Sequence, residues 1–111
     1  NMLQVTHAAI MASKIHWAYC ERTGAAGEKR DVLTLANAFY LATKGGGAFW
    51  GKVGSFEPGY QFDAVVMDDS RLADLHTRST YERVERLISL GDDRETLEKY
   101  VNGVRVYSRQ A

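Results

Sequence analysis

Residues 38–68 read AFYLATKGGGAFWGKVGSFEPGYQFDAVVMD and set out a whole supersecondary unit in chain order. Leu35, Ala38, Phe39 and Ala42 recur at helical spacing, which predicts the inner stripe of a helix. Thr43 is placed to cap a second, short turn. Gly45-Gly46-Gly47 permits close approach of backbones, and Gly51-Lys52-Val53-Gly54 closes the helical part. Phe56-Glu57-Pro58-Gly59 holds the only proline and predicts a turn. A strand is expected next, from Phe62 to Met67, ended by Asp68-Asp69. Helix, glycines, turn, strand: the unit is α+β.

On the N-terminal side, Met2 to about Arg22 reads as one helix. Leu3, Val5, Ala8, Ala9, Ile10, Met11, Ala12, Ile15, Trp17, Ala18, Tyr19 and Cys20 leave it almost no polar face. A helix apolar nearly all round is normally covered on most sides. The other elements of the chain are too few to cover it, so part of its normal partner is expected to lie elsewhere. Asn1-Met2 opens directly into this helical pattern, which suggests a piece of something larger. Thr23-Gly24-Ala25-Ala26-Gly27 reads as a loop, and Asp31 as the cap of a helix running through Leu41.

On the C-terminal side, residues 70–77 are polar and irregular. Ser79-Thr80-Tyr81-Glu82 is a capping box, and the helix it starts turns Val84, Leu87 and Ile88 inward and Arg86 outward. Gly91 suits a left-handed cap, and Asp92-Asp93-Arg94 begins one further turn. The chain closes in a hairpin, Tyr100-Val101 and Val104–Tyr107 about Asn102-Gly103, because Asn-Gly favours the type I′ turn.

The bulk numbers bound the function. With 111 residues there is one core's worth of chain. Fourteen basic against fourteen acidic residues give no electrostatic argument for nucleic acid or an anionic membrane. Lys14 and His16 interrupt the most apolar stretch well short of the ~18 residues a membrane span needs. The single Cys20 permits neither an internal disulfide nor a CxxC knuckle, which suits a reducing, cytoplasmic setting.

Each sharper motif meets a physical objection. Gly46 to Lys52 has the G-x-x-x-x-G-K spacing of a phosphate loop, but Val53 stands where the magnesium-binding hydroxyl belongs, and the run follows a helix, not a strand. His7 and His16 are nine residues apart, and at about 100° per residue that sets them on opposite helix faces. His76 stands alone in a polar loop, so no metal site is expected within the chain. Asp68-Asp69 and Asp92-Asp93 are adjacent pairs whose side chains diverge, which suits strand ends and caps better than a catalytic dyad. No serine or cysteine stands in a nucleophile elbow. No residue is assigned a catalytic, cofactor-binding or metal-ligating role.

The order of these elements resembles the C-terminal segment of the amidohydrolase superfamily, where a helix pair leads into a Gly-Ser-x-x-Pro-Gly turn and a strand ending in Asp. Within it, the chain is similar to the guanine deaminase branch. Phe39–Thr43, Gly54–Gly59 with Phe62–Val66, and above all Arg83–Ile88, Leu90–Arg94 and Tyr100–Gly103 carry that likeness. The resemblance implies an α/β parent, a (β/α)₈ barrel plus a small β-sandwich. Residues 1–52 would be helices covering the barrel. Residues 53–111 would be the C-terminal strands and short helix of the sandwich, making this chain an α+β fragment. It implies a metal-dependent hydrolase of purine catabolism, turning guanine and water into xanthine and ammonia, with zinc held by residues upstream of Asn1. The fragment alone would be inactive, with the missing N-terminal barrel as partner and self-association as a homo-oligomer expected. Two alternatives remain: another amidohydrolase, such as a chlorohydrolase or different aminohydrolase, and a non-enzymatic, self-associating interaction module.

Overall fold

The computed structural model describes residues 1–25, 27 and 30–110; of the loop expected over 23–27, Ala26 lies outside the described residues. Helix α1 spans Met2–Thr23. The Asn1 side chain accepts the Leu3 N–H at 3.0 Å and so satisfies one donor left open at the helix start. Gly24, at φ 70°, ends the helix in the left-handed conformation that costs glycine nothing. α1 packs against the two other α-helices. Its buried side chains are Thr6 and Cys20, while Val5, Ile15 and Tyr19 are exposed.

Helix α2 spans Leu35–Tyr40 and is capped by Thr34, not by Asp31. Thr34 Oγ1 accepts the Asn37 N–H at 3.1 Å, and Asn37 Oδ1 accepts the Thr34 N–H at 3.3 Å. This reciprocal box leaves Asp31 nothing to cap, and the intervening Leu33 N–H is already held by Ser13 Oγ of α1 at 3.0 Å. Leu35 and Ala38 are buried as expected, whereas Phe39 is 48% exposed and Ala42 only half-buried. Ala42 lies in the next turn, Leu41–Gly45, a π-helix whose wider turn breaks the 3.6-residue phase of the stripe. Thr43 sits inside that turn and does not cap a new one; its hydroxyl donates to the Phe39 carbonyl at 2.7 Å.

The glycines are used for close approach. A Cβ on Gly47 would stand 2.6 Å from the Val53 carbonyl oxygen, and one on Gly54 would strike the Thr43 carbonyl. The turn after them is closed by the Tyr60 N–H donating to Glu57 O at 3.1 Å, with Pro58 second and Gly59 at φ 85° third, as a type II turn requires.

Strand β1 covers Ala64–Met67, two residues shorter than expected. Phe62 and Asp63 are drawn off to the hairpin turn. The Phe62 carbonyl accepts the Gly103 N–H at 2.8 Å, and Asp63 Oδ1 accepts the Asn102 N–H at 2.8 Å. β2 (Thr96–Val101) and β3 (Val104–Ser108) complete an antiparallel sheet in the order β1-β2-β3. Val65 pairs with Lys99 and Lys99 with Tyr107. Asn102 (φ 49°) and Gly103 (φ 76°) supply the two positive φ angles of a type I′ turn. β2 begins four residues before Tyr100, a start that no pattern in the sequence marks.

Helix α3 spans Thr80–Leu90 behind the Ser79–Glu82 capping box: Ser79 Oγ accepts the Glu82 N–H at 3.2 Å and Glu82 Oε2 accepts the Ser79 N–H at 2.7 Å. Ile88 is buried, with Val84 and Leu87 half-buried beside it. Gly91 is not left-handed; it is extended, at φ −81° and ψ 163°. It is glycine because a Cβ there would run into the Leu87 carbonyl and lie 3.0 Å from Leu87 Cδ1. Arg86 is not outward either. Its side chain is 29% exposed, and Nη2 donates to the Leu72 carbonyl at 2.8 Å. Among the described residues the buried apolar side chains are Cys20, Leu35, Ala38 and Ile88. The core is thin.

Candidate functional site

The chemistry-bearing side chains of this chain gather where the segment after β1 crosses the start of α3 and the start of β2. Asp68 and Asp69 follow β1 and serve different partners. Asp68 Oδ2 accepts from Arg109 Nη2 at 2.8 Å. Asp69 receives two parallel bonds from Arg83 of α3, Nε at 2.7 Å and Nη2 at 2.8 Å, the fork geometry that a guanidinium offers a carboxylate. Further on, Asp74 accepts from Arg78 Nη2 at 2.6 Å and from the His76 N–H at 3.0 Å, with Arg86 at 3.6 Å. Asp69, Asp74, His76, Arg78, Arg83 and Arg86 rim a cleft of about 240 Å³ lined also by Leu72 and Ala73.

The one buried carboxylate among the described residues is Glu95, 1% exposed. Glu95 Oε1 accepts from Arg71 Nε at 2.7 Å and pairs with Arg71 Nη2 as well, while Oε2 accepts the Asp92 N–H at 2.6 Å. Asp92 accepts the Arg94 N–H at 2.8 Å and closes a third capping box with Glu95. Arg109 Nη1 reaches back to the Arg94 carbonyl. The expected turn at 92–94 is therefore real, and Asp92 caps it. Four stretches of chain, residues 68–78, α3, residues 92–95 and Arg109, are clipped together by arginine–carboxylate pairs.

Electrostatics agrees with a clip. The Arg78 guanidinium, and then the His76 amide, pull the Asp74 carboxyl from 3.8 down to about 2. Arg94 holds Asp92 well below the usual carboxylate range, Arg83 lowers Asp69, and Ser70 followed by Arg109 lowers Asp68. A carboxylate depressed in the fold stabilises it above its unfolded value, and that contribution disappears as pH falls towards the folded value. The melting temperature should therefore fall between about pH 4 and pH 2, and Asp74→Asn should flatten part of that fall. A melting temperature constant from pH 5 to pH 2, followed by circular dichroism, would contradict the clip.

The other residues weighed in the sequence are not brought together. His7 lies in a second cleft of about 240 Å³ between the helices, beside Lys14, Tyr81 and Glu85. His16 Nε2 is 3.6 Å from Cys20 Sγ one turn on, and His76 Nδ1 is 3.8 Å from Asp74. Among the described residues no three His, Cys, Asp or Glu side chains gather as metal ligands. Gly46–Lys52 follows the π-helix and runs through the 3₁₀ turn Ala48–Trp50, with the Lys52 carbonyl taken by the Gln61 N–H at 2.8 Å. That is helix-to-loop packing, not a phosphate cradle. No described helix is long and apolar enough to cross a membrane. Sequence reasoning missed Arg71, Glu95 and Arg109. The Asp92-x-x-Glu95 spacing, the same acid-three-later signal as Ser79-x-x-Glu82, could have found Glu95.

No protein-family model matches the chain. Solved structures do. A crystal structure of guanine deaminase from C. acetobutylicum, with guanine bound in its active site, superposes on 95% of this chain with a TM-score of 0.76 at 46% identity. The chain has the sequence and fold of a guanine deaminase segment. The Escherichia coli guanine deaminase structure covers 99% of the chain, with a TM-score of 0.70 and 31% identity. Among curated sequences, the E. coli (strain K12) enzyme is 39% identical over 85 residues and the Homo sapiens enzyme 34% over 85, matching 69% and 67% of this chain. A probable guanine deaminase of Deinococcus radiodurans is 36% identical over 93 residues, 77% of the chain. The chain spans 19–21% of the length of these curated relatives, and 23% and 24% of the two solved chains. The resemblance drawn from Gly54–Gly59, Leu90–Arg94 and Tyr100–Gly103 is borne out.

Proposed function

We propose that these 111 residues are the C-terminal part of a guanine deaminase-like, metal-dependent aminohydrolase, and that their contribution is structural. The observation that carries the reading is the 46% identity and 0.76 TM-score over 95% of the chain against an enzyme with guanine bound. The parent would hydrolyse guanine to xanthine and ammonia, a step of purine catabolism, in a reducing, cytoplasmic setting that suits the free Cys20. Residues 1–52 would cover a (β/α)₈ barrel, and residues 53–111 would build the end of a composite β-sandwich. The exposed faces of β1–β3, with Val65, Val66, Val104 and Val106 uncovered, suit a sheet that packs against further strands. The parent's barrel would be the partner that covers the apolar surface, and self-association is expected for the chain alone.

The parent's metal, zinc in this proposal, would supply an activated water when bound. The donors of this chain do not fit its coordination. His7, His16 and His76 stand at three separate places, and Cys20 has one imidazole near it, where a catalytic zinc needs about three protein ligands at one point. The ligands would belong to the barrel. Metal analysis after dialysis, with an ammonia assay on guanine, tests the assignment. The chain should retain no stoichiometric zinc and release no ammonia. One tightly held zinc per chain, or turnover that persists through further purification, would overturn it.

A further inference from the structure

Of the three asparagines in the chain only Asn102 precedes a glycine, and that pair forms the tip of the β2–β3 hairpin. Both residues are exposed, and a Cβ added to Gly103 would meet nothing within 4 Å, so the space around the tip is open. Asn1 precedes Met2, and Asn37 sits in α2 with its side chain engaged by Thr34. An asparagine followed by glycine is the pair best set to modify itself, because no side chain on the next residue hinders attack by its backbone nitrogen.

We propose that Asn102 is a deamidation site whose conversion is gated by the docking of the hairpin tip on Phe62 and Asp63. The chemistry needs only water as co-reactant. The Gly103 nitrogen gives its proton to hydroxide and attacks Asn102 Cγ. The N–Cγ bond forms, the Cγ–Nδ2 bond breaks, and Nδ2 leaves as ammonia with a proton drawn from water, which restores the hydroxide. A five-membered succinimide remains. Water then opens either carbonyl of that ring, giving aspartate or isoaspartate, so that one water is consumed and one ammonia released.

The docked tip holds this reaction off. Ring closure needs Asn102 Cβ and the Gly103 nitrogen on the same side of the Cα–C bond. A type I′ turn sets ψ at its first central residue to about +30°, which leaves the two roughly 150° apart about that bond. The Gly103 N–H also donates to the Phe62 carbonyl at 2.8 Å, which retains the proton that must leave. On the other side of the residue the Asn102 N–H donates to Asp63 Oδ1 at 2.8 Å. The Phe62 and Tyr100 rings, with centroids 5.9 Å apart, fasten the same stretch to β2. Cyclisation therefore starts from the undocked tip, at a rate set by the fraction of chains undocked. Aspartate at 102 would set a second carboxylate on the residue that Asp63 already contacts, and isoaspartate would add a backbone methylene that a two-residue turn has no room for. None of this depends on the proposed parent, since every contact lies within the chain.

Ageing the full chain in mildly alkaline buffer, with and without concentrated urea, tests the gate when its peptides are mapped by mass and for isoaspartate. Conversion should fall on Asn102 before Asn1 or Asn37, and should be at least about tenfold slower in buffer than in urea. Asp63→Ala, which removes one of the two bonds at the tip, should speed conversion in buffer roughly fivefold and leave the rate in urea unchanged. Asp63→Asn, whose amide oxygen can still accept the Asn102 N–H, should age as the native chain does. The comparison of buffer with urea needs no variant, so it decides even if Asp63→Ala fails to fold by circular dichroism. Equal rates in buffer and urea would overturn the proposal, as would an Asn102 that resists conversion in urea. So would an Asp63→Ala chain that folds yet converts at the native rate, or an Asp63→Asn chain that ages as fast as Asp63→Ala.

Discussion

Replacing Arg71 with alanine should destabilise the chain by roughly 2–3 kcal/mol, while Arg94→Ala should change little, although each arginine pairs with a carboxylate of the same cluster. The difference is where the carboxylate lies. Glu95 has no exposed side-chain surface, and Arg71 gives it both Nε and Nη2. Without Arg71 a buried charge keeps one partner, the Asp92 amide, and loses its counter-ion. A fully buried pair broken in this way costs about 3–5 kcal/mol, and the estimate is lower here because the Arg71 side chain is 45% exposed. Arg94 is 70% exposed beside Asp92, and an exposed pair contributes little. Domains of this size are held by only about 5–15 kcal/mol, so the Arg71 variant should unfold at a clearly lower urea concentration. Equal urea midpoints for the two variants would mean that Glu95 does not anchor the cluster.

Gly54→Ala should be comparably severe, and Gly59→Ala much milder, although both glycines have positive φ angles, 81° and 85°. For either residue the left-handed backbone alone costs an added Cβ about 1–2 kcal/mol. Gly54 adds a collision: its Cβ would sit 2.6 Å from the Thr43 carbonyl carbon and 3.0 Å from the Lys44 amide nitrogen, both backbone atoms of the π-helical turn. Overpacking of that kind costs about 1–3 kcal/mol more, for a total of roughly 2–5 kcal/mol. At Gly59 the nearest atom is Lys52 Nζ at 3.8 Å, the free end of a long side chain. Thermal unfolding of the two variants separates the terms. If Gly59→Ala lost as much stability as Gly54→Ala, the close approach between residues 43 and 54 would be wrong.

What the sequence shows plainly is chemistry that closes within about four residues. Ser79 and Glu82 cap α3, Asn102-Gly103 turns the hairpin, and Pro58-Gly59 makes its type II turn, each because one or two side chains or φ angles decide the matter locally. The errors arise where a distant group intervenes. Asp31 fails as a cap because Ser13 of α1 holds the intervening Leu33 amide and Thr34 forms a better box. Arg86 turns inward because the Leu72 carbonyl, fourteen residues back, is there to receive it. Gly91 looks like a left-handed cap, yet it serves the close passage of Leu87. The clip was the least legible feature. Arg71 and Glu95 are 24 residues apart, and Asp68 and Arg109 are 41 apart, so nothing in the local pattern of either partner announces the other. Its parts could be read as caps and strand ends, but not as one cluster.

On the proposed function this chain supports a guanine deaminase-like parent and contributes none of its catalytic groups. A graft tests it most directly. The segment of the C. acetobutylicum guanine deaminase that superposes on this chain, about a quarter of that enzyme, would be replaced by residues 1–111, and guanine turnover measured. If the segment is support, the chimera should fold, load its metal and deaminate guanine with kcat within about tenfold of the host enzyme, a barrier difference of no more than ~1.4 kcal/mol. A chimera that folds and loads metal normally yet leaves guanine untouched would contradict the account.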